Sequence, residues 1–176
     1  MIELRGRRIL LRAFREDEVD AVYEARSTGD LSPWPGGVDR AALGRRLARS
    51  GRFVGGRLDL AIELDGRLIG ELDARQPPQA LPPGVFELGI AIFEAADRGK
   101  GIGAEAVALA TDYIFRERDA HRVQASTAVD NAPMRRALEK VGFRCEGVMR
   151  AFMPAGDERV DYVLYALTKA DRDERA

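Results

Sequence analysis

The sequence predicts a mixed α/β domain in which helices flank a mixed sheet, and three features of the text carry that prediction. An Asp65-Gly66 pair between two apolar runs marks an antiparallel hairpin. "VFELGIAIF" is apolar on both faces, as for a strand at the centre of a sheet. After it come "IGAEAVALATDYIFRER", "HRVQASTAVD" and "NAPMRRALEKVGF", a helix, strand and helix that layer onto such a sheet. A chain of 176 residues buries a sufficient core as one domain, expected over residues 1–170 with a polar tail over 171–176.

The elements follow in order. "LRGRRILLRAF" has the apolar content of a strand, and "REDEVDAVYEARS" opens acidic with Val19, Val22 and Tyr23 at helical spacing. "TGDLSPWPGGV", Thr28 to Val38, is broken by prolines and glycines into a loop. Asp39 caps a short basic helix with Leu43 and Leu47 on one side. The hairpin carries Leu60, Ile62 and Leu64 before its turn and Leu68 and Ile69 after it, and a proline-rich connector, Gln76 to Gly84, leads to the central strand. In the next helix Ile102, Ala106, Leu109, Ala110 and Tyr113 form one stripe, with Glu105, Asp112 and Arg116 largely elsewhere. Val123, Ala125, Thr127 and Val129 alternate as a strand, and the helix after it starts at a capping Asn131 and stops at Gly142. Two strands around a Pro-Ala-Gly-Asp turn close the order β-α-α-β-β-β-α-β-α-β-β, and "KADRDERA" reads as a solvated tail.

Composition removes several function classes. The chain is 45% hydrophobic and 32% charged with a net charge of -1, which argues against a general nucleic-acid binder. Its single cysteine, Cys145, and single histidine, His121, rule out an intramolecular disulfide and argue against a Cys/His metal site, so no metal is expected. Cys145 is expected as a small buried or half-buried side chain and His121 as the maker of a local hydrogen bond. "MIELRGRRILLRAF" mixes arginines into its apolar residues, so neither a signal peptide nor a membrane span is expected and the cytoplasm is the default.

"DRGKGIGAEA" sets Gly99, Gly101 and Gly103 at alternate positions between a strand and a helix. Unpaired NH groups and the helix dipole make such a turn an anion site, and Arg98 and Lys100 add cations that suit a pyrophosphate. A nucleotide P-loop fails, because Glu94 stands where its first glycine belongs and Gly101 where its hydroxyl belongs. A dinucleotide fingerprint matches formally at Gly101, Gly103 and Ala106 and stays open as an alternative. The third pattern, Arg/Gln-x-x-Gly-x-Gly/Ala, is met by Arg98, Gly101 and Gly103.

With that third pattern the sequence resembles the GNAT superfamily of N-acetyltransferases, most closely the RimJ/RimL-like branch that acetylates ribosomal-protein N-termini. "LRAFREDEVD", "FELGIAI", "GKGIGAEAVALATDYIF" and "HRVQASTAVDNAPMRRALEKVGFRCEGVMR" are similar to that branch's successive motifs and cover most of the chain. The resemblance implies a twisted, mostly antiparallel sheet of six to seven strands with about four helices, and acetyl-CoA as cosubstrate. It implies a pyrophosphate held by Arg98, Gly99, Lys100, Gly101, Ile102 and Gly103, a pantetheine arm bonded to Asn131, and backbone NH groups of Ile90, Ala91 and Ile92 facing the cofactor.

Glu87 is then the candidate base, acting through water, or equally an ion-pair partner that positions the substrate amine. Met134 stands where the branch has a serine, which leaves the general acid unassigned, and neither Tyr162 nor Tyr165 can be placed from sequence. Trp34 either lines the acceptor pocket or pins its loop. The expected acceptor is a protein N-terminal α-amine or a small-molecule amine such as an aminoglycoside or polyamine, with no nucleic acid or membrane partner and a homodimer left open. A catalytically weak acyl-CoA sensor and a dinucleotide-binding oxidoreductase are the alternatives.

Overall fold

Gly6 interrupts the first apolar run, and the chain turns there instead of continuing as one strand. β1 (Leu4–Arg5) and β2 (Ile9–Arg12) pair antiparallel with Leu4 opposite Leu11. The computed structural model describes residues 1–27 and 38–174. After β2 come α1 (Val19–Ser27), α2 (Arg40–Leu47), β3 (Arg57–Leu64), β4 (Arg67–Arg75), β5 (Val85–Ile92) and α3 (Ile102–Glu117). Then follow β6 (Arg122–Ala128), α4 (Ala132–Val141), β7 (Arg144–Ala155), β8 (Glu158–Thr168) and α5 (Lys169–Asp173).

The local chemistry that starts and stops these elements is plain. Asp65 and Gly66 both take positive φ, 50° and 78°, as a two-residue hairpin turn of matching twist requires. Asp39 accepts from the backbone NH groups of Ala41 and Ala42 to start α2. Asn131 caps α4 through Met134 N, and Gly142 ends it at φ 113°.

The sheet has eight strands in the order β1-β2-β3-β4-β5-β6-β8-β7, antiparallel throughout except between β5 and β6. Eight strands and five helices among the described residues exceed the expected six to seven and four. The extra strand comes from the turn at Gly6. The extra helix is α5, where the tail was expected to be solvated: Thr168 and Asp171 cap one another reciprocally and Asp171 is buried. Among the described residues no helix is long and apolar enough to cross a membrane.

The two faces of the sheet differ in kind. On one, Leu60, Leu72, Phe86, Leu88, Val123 and Tyr165 pack with Ile102, Ala106, Val107, Ala110 and Ile114 of α3 and Leu138 of α4. Each buried leucine there contributes about 1.5–3 kcal/mol. On the other, α1 and α2 meet each other through Val22, Leu43 and Leu47, and their Arg26 and Arg46 reach Glu71 and Asp59 of the sheet. Both carboxylates are buried, and the cost of taking such charges out of water offsets most of their mutual attraction. Stability therefore resides mainly on the α3 face, and the ionic face is the one free to carry chemistry.

Candidate active site

β5 leaves its parallel neighbour half-way along. Val85–Leu88 stand opposite Arg122–Ala125 of β6, but from Gly89 to Ile92 the strand pairs with β4 alone, while β6 continues to Ala128 beside β8. A wedge opens there, lined on one side by a backbone edge without a strand partner among the described residues. Gly89 suits this point, since a Cβ on it would lie 2.7 Å from Asp73 Oδ1. Ile90, Ala91 and Ile92 all lie on the open stretch, but with Phe93 N donating to Ile69 O the ladder's alternation turns the backbone groups of Ala91 to β4, contrary to the expectation, and leaves those of Ile90 and Ile92 at the open edge.

Beyond β5 a 3-10 turn, Ala95–Asp97, leads into the glycines. Gly99 and Gly101 take φ of 74° and 79°, and Gly101 caps α3 in the left-handed region with no side chain bonded to the helix end. The first-turn NH groups at Ile102, Gly103 and Ala104 thus keep their donor capacity. Nothing lies within 4 Å of a Cβ built on Gly99, and Gly103 would meet only Ile90 Cδ1 at 3.9 Å. An uncapped helix start behind two left-handed glycines fits a pyrophosphate.

The cations are arranged differently from the sequence expectation. The Arg98 guanidinium turns back, donating to the carbonyls of Ile92 and Phe93 at 3.0 Å each. Lys100 Nζ lies 3.7 Å from the buried Asp97. Arg8, from the β1–β2 turn, donates to Lys100 O at 2.7 Å, and its Nη2 would lie 3.4 Å from a Cβ on Gly101. Glu105 in the first turn of α3 holds it, accepting from Arg8 N at 2.9 Å and Nε at 3.1 Å.

At the apex of the wedge stands Glu87. Arg75 donates to one of its oxygens at 2.7 Å and Gln124 to the other at 3.4 Å, and the side chain is 33% exposed. Across the wedge, Asn131 uses its carbonyl oxygen on Met134 N at 3.2 Å, and Met134 packs against the core. The two tyrosines separate clearly. Tyr165 is fully buried, donates to Glu139 at 2.8 Å and accepts from Arg135 at 3.3 Å. Tyr162 is half-buried against Phe152, and burial, with Asp130 adding to it, pushes its phenol up so that it keeps its proton at neutral pH.

A GNAT acetyltransferase domain model matches residues 8–144, from Arg8 of the turn to the first residue of β7. The chain belongs to the GNAT acetyltransferase family. It is 25% identical over 167 residues to the uncharacterized N-acetyltransferase YnaD of Bacillus subtilis (strain 168), covering 94% of this chain and 96% of that one. A solved GNAT-family acetyltransferase from Bacillus anthracis superposes with a TM-score of 0.78 at 25% identity, covering 96% and 99% of the two chains. Mycobacterium smegmatis RimJ in complex with CoA-disulfide gives a TM-score of 0.77 at 25% identity, covering 93% of this chain and 83% of that one. This GNAT chain is accordingly an acyltransferase, and the oxidoreductase alternative falls.

Within this GNAT domain the wedge brings together Glu87, Ile90, Ala91, Ile92 and the glycine turn. Trp34 lies outside the described residues. His121 is far from the wedge, with its backbone NH on Gly84 O at 2.8 Å. Cys145 is exposed, contrary to the expectation of burial, because β7 is the outer edge of the sheet. Sequence reasoning missed Arg8 and Glu105. The signal for Arg8 was Gly6, a glycine inside a strand-like run that marks a turn. Glu105 lies 97 residues from its partner and gave no local signal.

Proposed function

We propose that this acyltransferase moves the acetyl group of acetyl-CoA onto a protein N-terminal α-amine by direct attack in a ternary complex. The observation that carries this reading is the meeting of the open β5 edge with the uncapped start of α3. Acetyl-CoA is the cosubstrate, and it supplies an activated acetyl thioester and a thiol leaving group with a pKa near cysteine's, about 8.5. The first-turn NH groups of α3, flanked by Arg8 and Lys100, hold its pyrophosphate. The edge at Ile90 and Ile92 bonds the pantetheine arm in the manner of an added strand, and the Asn131 side-chain amide faces the same arm. Glu87, kept in place by Arg75 and Gln124, orients the incoming amine and takes its proton through water.

Two arguments favour an α-amine. Its pKa of about 7.7–8.0 leaves a useful neutral fraction at pH 7, whereas a lysine-like amine near about 10.4 demands far more of a base. The ionic face beside Glu87 also presents one cavity where Arg46 and Arg57 are paired with carboxylates but Arg45 and Arg49 make no ion pair among the described residues, and that positive charge disfavours polycations such as aminoglycosides and polyamines. The likeness to the RimJ/RimL-like branch supports the same choice.

Calorimetry with acetyl-CoA and a thiol-release assay against peptides, polyamines and aminoglycosides test the reading. Acetyl-CoA is expected to bind, Gly101→Glu to abolish binding, and peptides to be the acetylated class. Turnover of an aminoglycoside with none of any peptide would replace the acceptor. Binding with no turnover of any amine would make the chain an acyl-CoA sensor.

A further inference from the structure

The arginines crowded between Arg40 and Arg57 have no role in the transfer step itself. Four of them meet in a cavity of about 380 Å³ between α2 and the start of β3, lined by Arg45, Arg46, Arg49, Val54, Arg57 and Asp59. Asp59 is the one carboxylate of that lining, and two arginines already share it, Arg57 at 3.0 Å and Arg46 at 3.4 Å. Arg45 and Arg49 are exposed and make no ion pair among the described residues. Arg46 Nε is buried without a hydrogen bond among the described residues. Burial presses the Arg46 guanidinium below its ordinary value, Asp59 and Glu71 oppose that, and the neighbouring Arg26 and Arg57 add to it. Arg46 and Arg57 are further compensated by Glu71 at 3.5 Å and Asp73 at 3.3 Å, so the positive charge left for an anion is that of Arg45 and Arg49 at the cavity's exposed side.

The cavity is coupled to the wedge. Arg57, Arg75 and Glu87 stand directly opposite one another on β3, β4 and β5, so they share one face of the sheet. Two interstrand spacings separate Arg57 from Glu87, about 10 Å. Ion pairs run along the same line: Arg57 to Asp73 at 3.3 Å, Arg75 to Asp73 at 3.0 Å, and Arg75 to Glu87 at 2.7 Å. An extended peptide advances about 3.3–3.6 Å per residue, so three residues bridge this distance.

We propose that the cavity is an acceptor subsite for a carboxylate side chain, so that the preferred substrate N-terminus carries Asp or Glu at its third or fourth residue. The proposal rests on the peptide-amine reading above, and its test separates the two. The first arm is calorimetry of the full chain with N-acetylated Ala-Ala-Glu-Glu amide, which cannot accept an acetyl group, and with its Gln-Gln counterpart. The acidic peptide is expected to bind about tenfold tighter, the range of a partly exposed charged contact, and to weaken as salt rises. The preference is expected to vanish in an Arg45→Glu/Arg49→Glu double variant. Both positions are exposed and make no ion pair among the described residues, and a melting curve matching wild type establishes that the variant folds.

The second arm is thiol release with the free-amine forms of both peptides. The acidic peptide is expected to show a KM about tenfold lower in wild type, the same contact free energy read through turnover, and an equal KM in the double variant. Equal binding of the two blocked peptides to wild type, or a preference that survives in the double variant, overturns the subsite. If the blocked acidic peptide binds through Arg45 and Arg49 but no free-amine peptide is acetylated, the cavity is a carboxylate site but not an acceptor subsite, and the peptide-amine reading falls with that part of the proposal.

Discussion

Replacing Glu105 with alanine should loosen the first turn of α3 from the β1–β2 turn, and the structure gives the size of the effect. The carboxylate accepts from the backbone N of Arg8 at 2.9 Å and from its Nε at 3.1 Å. Its side chain is 17% exposed, against 46% for Arg8. A hydrogen bond to a charged group contributes about 1.5–3 kcal/mol, while solvent screening reduces the guanidinium contact to about 0–1 kcal/mol. Together the loss is about 2–4 kcal/mol, which in a domain of this size lowers Tm by roughly 5–12 °C. Glu105→Gln keeps one acceptor and should fall between.

Linkage gives the same variant a pH signature. Burial raises the Glu105 pKa, but hydrogen bonds from Arg8, Arg7 and Ile9 outweigh it and set the group below its ordinary 4.5. A carboxyl lowered on folding stabilises fully above its unfolded value, and that contribution is lost as pH falls through the folded value. Thermal melts should therefore show the full gap between wild type and Glu105→Ala at pH 7 and a narrowing gap below about pH 4. A midpoint within about 2 °C of wild type at pH 7, less than 1 kcal/mol, would refute the reasoning.

Two more outcomes follow from the geometry. Glu87→Gln should leave acetyl-CoA affinity near wild type in calorimetry and lower kcat by about 10²-fold or more at pH 7. The loss should shrink as pH rises past the amine's own pKa of about 8, and an unchanged rate across the range would remove Glu87 from proton transfer. Arg12 is 9% exposed and donates to Glu18 at 2.6 and 2.9 Å and to Glu63 at 2.6 Å. Arg12→Ala leaves both carboxylates with the half-exposed Arg15 as partner, at 2.8 Å to Glu63 and 3.7 Å to Glu18, so it should cost about 1.5–3 kcal/mol in urea titration, and a cost under about 1 kcal/mol would show the cluster to be solvated.

Much of the fold was legible because its punctuation is local. Asp65-Gly66, Asp39, Asn131 and Gly142 act within four residues of themselves, and each stands at the boundary its chemistry predicts. Thr168 and Asp171 carry a capping signal of the same kind, but in a helix of only five residues it was hidden among charges that read as tail. The glycine turn and the central strand were visible from their text. What surrounds them was not, since side-chain direction follows from packing. Arg98 stands in the expected motif yet bonds backward to β5, while the cation that joins Lys100 at the turn comes from a hairpin far earlier in the chain. Cys145 was misjudged because composition does not say which strand is outermost.

The wedge in β5 is an edge buried inside a sheet, and that bears on self-association. Unpaired strand edges invite pairing with other chains. Here the exposed ladder is only four residues long, 89–92, and Arg98 occupies the carbonyls of Ile92 and Phe93 at its far end. A foreign strand finds no further backbone to zip along, while a slender amide-bearing arm needs no more than those few positions. On the reading proposed above, one guanidinium thus ends the open ladder, leaving too little backbone for a foreign strand and enough for a short amide-bearing arm.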